Sequence, residues 1–145
     1  GRLAGRATEA GVTVSVDPGR RIDDRDYRDV VSAASYLFLN DREATRAREN
    51  GLLDATDGMT VVTRGASGGE ILTGDEQITH AGYEVDPVDT AGAGDAFAAG
   101  FLAARFDGAD LEETLAVANA CGALAARETG ARTALSWRAI DALRS

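Results

Sequence analysis

The sequence predicts an α/β fold: a largely parallel sheet covered by helices on both faces, ending in a helical tail. Three observations carry this. Short apolar or β-branched runs at Val12–Val16, Ser35–Leu39 and Met59–Thr63 alternate with helix-like segments, the pattern of strands joined by crossovers. The first run, Val12–Val16, is short and β-branched and the second, Ser35–Leu39, is apolar, both marks of strands. From Ala93 onward the chain is alanine-rich with apolar residues at helical spacing.

Gly1 to Ala10 reads as the end of a helix closed by Gly11, because glycine readily takes the left-handed turn after a last helical residue. Val12–Val16 is a strand stopped by the turn cluster Asp17-Pro18-Gly19. Asp26–Ala34 reads as helical. Ser35–Leu39 is the second strand, ending at Asn40, and Asp41–Asn50 is a helix closed by Gly51. Met59–Thr63 is the third strand and runs into Arg64-Gly65. The pattern then changes: Gly69–Thr73 and Gln77–Val85 form an antiparallel pair turned at Gly74-Asp75. Ala93–Arg105 is one helix. Asp110–Glu128 is another, opened by the capping-box variant Asp110-x-x-Glu113, with Leu111, Leu115, Ala118, Gly122 and Ala125 along one face. Ser136 caps a last helix through Arg144.

Composition bounds the function. A chain of 145 residues is close to one ordinary domain. No apolar run approaches the roughly 18–20 residues that span a bilayer, and Gly1–Arg6 leads into no signal core. A cytoplasmic protein with no membrane partner is expected. Met59 is the only methionine, so the chain is expected to begin inside its gene. Fifteen basic residues, all Arg, face 24 acidic ones, for a net charge of −9 and a pI near 4.5. That balance argues against a nucleic-acid partner. Without Lys there is neither a Walker A motif nor the strand Lys of a protein kinase. The single cysteine, Cys121, sits among small residues and reads as a buried structural thiol. His80, the single histidine, lies in a strand-like segment far from any G-x-S-x-G and reads as a surface strand residue.

The stretch that carries chemistry is Asp89-Thr90-Ala91-Gly92-Ala93-Gly94-Asp95-Ala96-Phe97. Two glycines flank an alanine where a loop becomes a helix. Small residues there let backbone approach a ligand, and the N–H groups of a first helical turn attract an anion. Asp95 would repel a phosphate unless it had a task of its own, and accepting a proton from an attacking hydroxyl is such a task. The alternative is that Asp95 caps or neutralises its helix while the glycines make a tight turn. A dinucleotide-binding G-x-G-x-x-G is disfavoured because its sixth position here is Phe97.

These nine residues resemble the second signature of the PfkB, or ribokinase-like, carbohydrate kinases. The order Asp17-Pro18, Asn40-x-x-Glu43, Thr63-Arg64-Gly65-Ala66-Ser67-Gly68 and then the glycine–aspartate loop is similar to the C-terminal half of that family. The resemblance implies a three-layer, ribokinase-like (Rossmann-like) sheet flanked by helices, with the N-terminal half of the domain and its lid missing. It implies that residues 1–145 are the nucleotide-binding portion of a single kinase domain, a fragment inactive by itself.

By the same resemblance, Asp95 is the catalytic base, and Gly92, Ala93 and Gly94 form the anion hole for the transferring γ-phosphoryl. Asn40 and Glu43 arrange Mg²⁺ and phosphates through water, their alternative role being helix capping. Thr63, Arg64, Gly65, Ala66, Ser67 and Gly68 touch the nucleotide, with Arg64 an available counter-charge. Asn119 lies on the adenine side, the alternative being an ordinary polar position. Asp89 and Ala91, with backbone from Ala125 to Gly130, correspond to a loop that binds K⁺ in one branch. The implied partners are ATP and a small sugar or nucleoside, and a homodimer would form through the missing lid. Gly19 is a departure: sugar kinases often carry Asn there, which leaves a nucleoside acceptor open. A nucleotide-binding module without catalysis is the alternative from another class.

Overall fold

The structure, a computed structural model, describes residues 1–130 and 135–145. In chain order its elements are α1 (Arg2–Glu9), β1 (Ser15–Val16), α2 (Arg28–Val31), β2 (Tyr36–Asn40), α3 (Asp41–Glu49), β3 (Met59–Thr63), β4 (Gly69–Thr73), β5 (Glu76–His80), α4 (Ala93–Phe106), α5 (Leu111–Ala126) and α6 (Trp137–Arg144). The five strands form one sheet in the order β1-β2-β3-β4-β5. β1 with β2 and β2 with β3 are parallel, and Asn40 is opposite Thr63. β4 and β5 are joined by Gly74 and Asp75 alone, a connection that only antiparallel neighbours can have. The sheet is therefore mixed, and the helices flank it as the sequence predicts.

The described residues separate into two compact units, Gly1–Thr63 with Ile71–Gln77 and Arg64–Glu70 with Ile78–Ser145. In the first, Val16, Val31, Leu37, Leu39, Ala47 and Val62 share one apolar cluster. Leu37, Phe38 and Leu39 are all buried, so β2 is covered on both faces. In the second, α4 packs along α5, and Ala104, Val117, Ala120, Cys121 and Ile140 cluster there. A Cβ on Gly100 would lie 2.5 Å from Cys121 Sγ, so glycine sets how closely these helices approach.

Three expected elements shorten markedly, each for a local reason. The first strand shrinks to Ser15–Val16, because Val12 N–H donates to Ala7 O and Gly11 N–H to Thr8 O. These two bonds close α1 as a Schellman motif through Gly11. The expected helix Asp26–Ala34 covers only Arg28–Val31: Asp26 Oδ1 accepts from Arg28 N–H before it, and Ala34 N–H turns onto Val31 O after it. The fifth strand stops at His80 instead of Val85, since Gly82 adopts φ +83° and its N–H donates to His80 Nδ1 at 3.0 Å. Asp110 caps α5 as expected, accepting from Glu113 N–H at 2.8 Å, while the Glu113 carboxylate binds Arg144.

Candidate functional site

In the first unit the parallel strands β1, β2 and β3 end on one edge of the sheet, the edge where open α/β sheets bind ligands. Asn40 and Thr63 are register partners there. Asn40 also begins α3: its Oδ1 accepts from Glu43 N–H and Glu43 Oε2 accepts from Asn40 N–H, each at 2.9 Å. The capping role considered from the sequence is thus realised as a complete capping box. It also fixes the Glu43 carboxylate, which is 7% exposed, at the strand end. Beside it is a cleft of about 130 Å³ lined by Arg20, Asp23, Asn40, Arg42, Glu43 and Arg46.

In the second unit the loop after β3 closes on itself. Arg64 N–H donates to Gly68 O at 2.8 Å, and Ser67 N–H to Arg64 O at 3.0 Å. The Arg64 guanidinium is not an uncommitted counter-charge for phosphate: it binds Glu70 at 2.6 Å, and Glu70 is 1% exposed. Stripping the cation from such a buried carboxylate is costly. Gly68, at φ +82°, crosses directly over the chain at His80–Gly82. A Cβ there would lie 2.0 Å from His80 O and 2.4 Å from Gly82 N. Gly68→Ala is therefore expected to destabilise the fold by about 3 kcal/mol or more, combining overpacking with a left-handed backbone. Urea denaturation measures this, and a loss below about 1 kcal/mol would mean the two segments can part freely.

His80 holds this crossing through the Nδ1 acceptor already described, and its ring lies 5.0 Å from that of Tyr83. Burial, with a contribution from Arg144, lowers its pKa below the usual 6.5. The unfolded chain then takes up the proton first, so stability from neutral His80 is present above about pH 6.5 and is lost as the pH falls through the folded value. Thermal melts from pH 7.5 down to 5 are expected to show a falling midpoint, with the drop reduced in His80→Gln. An equal drop in both proteins would remove His80 from the account. Sequence reading overlooks Glu70 and Gly82; the available signal was a lone carboxylate within the strand Gly69–Thr73.

The glycine–aspartate loop is also in the second unit. Gly92 is the N-cap of α4, at φ +77°, with no side-chain cap. Ala93 N–H donates to Thr90 O at 3.2 Å and Ala96 N–H to Gly92 O at 2.9 Å. Of the three N–H groups expected to form the anion hole, that of Ala93 closes the turn, while those of Gly92 and Gly94, and that of Asp95 beside them, have no partner among the described residues. Asp95 is exposed at the third position of α4, and its carboxylate makes no hydrogen bond or ion pair with any described residue. It does not cap its helix by hydrogen bonding. A Cβ on Gly122 of α5 would lie 3.3 Å from Ala93 O, so a small residue brings α5 close beneath this first turn.

The segment before the loop is tied to the end of α5. Val88 and Asp89 N–H both donate to Ala126 O, at 2.7 and 3.1 Å. Asp89 Oδ1 accepts from Ala91 N–H and Oδ2 from Gly130 N–H, each at 2.9 Å. These bonds, Ala91's first, hold the Asp89 carboxyl below the usual carboxylate range. Asp89, Ala91 and Gly130 are brought together by these two hydrogen bonds, which account for the carboxylate. Asn119 is buried and its Nδ2 donates to Leu115 O at 2.8 Å, within α5. Burial pushes the Cys121 thiol up to about 11, as an inert structural cysteine requires. Among the described residues no helix is long and apolar enough to cross a membrane, and no three His, Cys, Asp or Glu side chains gather to hold a metal.

Comparison with known proteins gives a consistent result. Residues 2–138 match the pfkB family carbohydrate kinase domain. The chain is 48% identical to the ATP-dependent ribose-1-phosphate kinase of Halopiger xanaduensis over 99% of its own length and 50% of that protein's. In structure it is similar to a Burkholderia thailandensis nucleoside kinase in complex with inosine (TM-score 0.87, 27% identity), covering 97% of this chain and 50% of that one. It is also similar to the Salmonella enterica aminoimidazole riboside kinase complexed with aminoimidazole riboside and an ATP analogue (TM-score 0.82, 29% identity), covering 99% of this chain and 56% of that one. The chain spans about half the length of the curated relatives it matches.

Proposed function

The chain belongs to the pfkB family of carbohydrate kinases, and from that membership we propose that residues 1–145 form the nucleotide-binding, phosphoryl-transferring portion of one kinase domain. The reaction moves the γ-phosphoryl of ATP to a hydroxyl of a phosphorylated pentose. The observation that carries the chemistry is Asp95, a carboxylate without partners among the described residues beside two unpartnered N–H groups at the start of α4. Asp95 accepts the hydroxyl proton; the oxygen forms a bond to the γ-phosphorus as the bridging oxygen leaves with ADP. The N–H groups of Gly94 and Asp95 hold the equatorial oxygens, where charge accumulates.

Mg²⁺ carried on the phosphates would supply charge compensation. Asn40 and Glu43, each already bonded to the other's backbone, fit contacts to its water shell rather than a direct ligand set. The 48% identity to a ribose-1-phosphate kinase favours the phosphorylated pentose over a nucleoside. The test supplies the intact protein that carries this chain with MgATP and ribose 1-phosphate, ribose, fructose or inosine in turn, and measures ADP release. Turnover with ribose 1-phosphate well above the others is expected. Preference for inosine would move the assignment to a nucleoside kinase, and no ADP release with any acceptor would sink the kinase reading.

A further inference from the structure

A glycine with no backbone reason to be there lies under the first turn of α4. Gly122 sits in the interior of α5, between Cys121 and Ala123, and has no left-handed φ. Alanine is the better helix former at such a position, so the reason for glycine lies in what a side chain would meet. A Cβ there would lie 3.3 Å from Ala93 O, closer than ordinary van der Waals contact, and 3.5 Å from Phe97 Cβ. Ala93 O is one end of a rigid, planar peptide unit, and the Gly94 N–H is its other end. The carbonyl points down the helix and the N–H points out of its start. A push on the oxygen therefore moves the Gly94 N–H, which has no partner among the described residues. Recoil of α5 gives no escape. Ala126 O accepts from Val88 and Asp89 N–H at 2.7 and 3.1 Å, so α5 would carry with it the segment that leads into the same turn.

We propose that Gly122 is a positioning residue: its missing side chain lets the Ala93–Gly94 peptide settle on α5 and so aims the Gly94 N–H at the transferring phosphoryl group. Gly122 touches no substrate and acts only through that peptide. Its role rests on the phosphoryl-transfer reading of this turn and adds a determinant of transition-state geometry on a different helix. A Cβ at 3.3 Å requires its neighbour to give by a few tenths of an ångström. Since a misplacement of about 1 Å costs roughly 10² in rate, Gly122→Ala is expected to cost about three- to tenfold.

The test compares wild type with Gly122→Ala in the intact protein, with the acceptor that supports the fastest turnover present. Each is titrated calorimetrically with MgADP, and with MgADP plus aluminium fluoride, a mimic of the transferring phosphoryl group. MgADP lacks the γ-phosphoryl, so its affinity is expected to stay within about twofold of wild type. Affinity for the aluminium fluoride complex and kcat are both expected to fall by about threefold or more, with KM for MgATP little changed. Affinity is read per folded site. Partial unfolding lowers only the number of sites and cannot imitate this split. A loss of affinity for the mimic below about threefold, or an equal loss for MgADP, overturns the positioning role. The two readings fail separately. If wild type turns over no acceptor, the phosphoryl-transfer reading falls and the role of Gly122 with it; if wild type turns over and binds the mimic, and Gly122→Ala binds it as tightly, the role of Gly122 alone is overturned.

Discussion

Asp95→Asn is expected to lower kcat by about 10²–10⁴-fold in the intact protein, the usual cost of removing a positioned general base. The substitution isolates chemistry unusually well. The Asp95 carboxylate is exposed and makes no hydrogen bond or ion pair with any described residue, so its loss removes no internal contact. The melting temperature should stay close to wild type. MgATP affinity should hold or improve slightly, because a negative charge leaves the neighbourhood of the phosphates. The predicted signature is a collapse of kcat without a matching rise in KM for ATP, as expected for an interaction made only in the transition state. A variant that keeps near-normal kcat would refute the assignment of Asp95 as the base. One that unfolds would instead make it a structural residue, against the geometry of α4.

What could be read from the sequence followed what local chemistry dictates. Met59–Thr63 and Gly69–Thr73 match their strands to the residue, because β-branched runs and glycine punctuation are local signals. The Asn40–Glu43 spacing announced a helix start, and the structure closes it as a capping box. The end of β5 was not readable: Gln77–Val85 looks extended until His80 Nδ1 takes the Gly82 N–H, and nothing in that run announces the close crossing by Gly68. The fate of Arg64 was equally hidden, since its partner Glu70 becomes compelling only once β4 is buried. At the candidate site, residue types were legible and hydrogen-bond allocation was not. The motif gives three small residues in a row, but only the folded turn shows Ala93 N–H committed to Thr90 O and those of Gly92, Gly94 and Asp95 without partners among the described residues.

The second large effect is expected at Gly94, where stability and turnover should move in opposite directions. A Cβ built there meets no protein atom within 4 Å, in contrast to Gly68 and Gly100, where it would strike neighbours at 2.0 and 2.5 Å. Gly94 has no left-handed φ to defend either, so the protein itself gives no reason for glycine. Within a helix, alanine in place of glycine is ordinarily favourable by up to about 1 kcal/mol, and in the first turn of α4 Gly94→Ala should leave stability unchanged or raise it slightly. On the proposed function, however, a side chain there occupies the space through which the phosphoryl group approaches the N–H groups of Gly94 and Asp95. A displacement on the order of 1 Å can cost roughly 10² in rate, so Gly94→Ala should depress kcat about tenfold and Gly94→Val about a hundredfold or more. Ground-state ATP affinity should change less, because the contact matters most as charge builds on the transferring group. Melting curves and single-turnover rates on the same preparations separate the two quantities. If Gly94→Val turned over at the wild-type rate, the open space beside Gly94 would not be where the phosphoryl group passes, and the anion hole would have to be sought elsewhere in the chain.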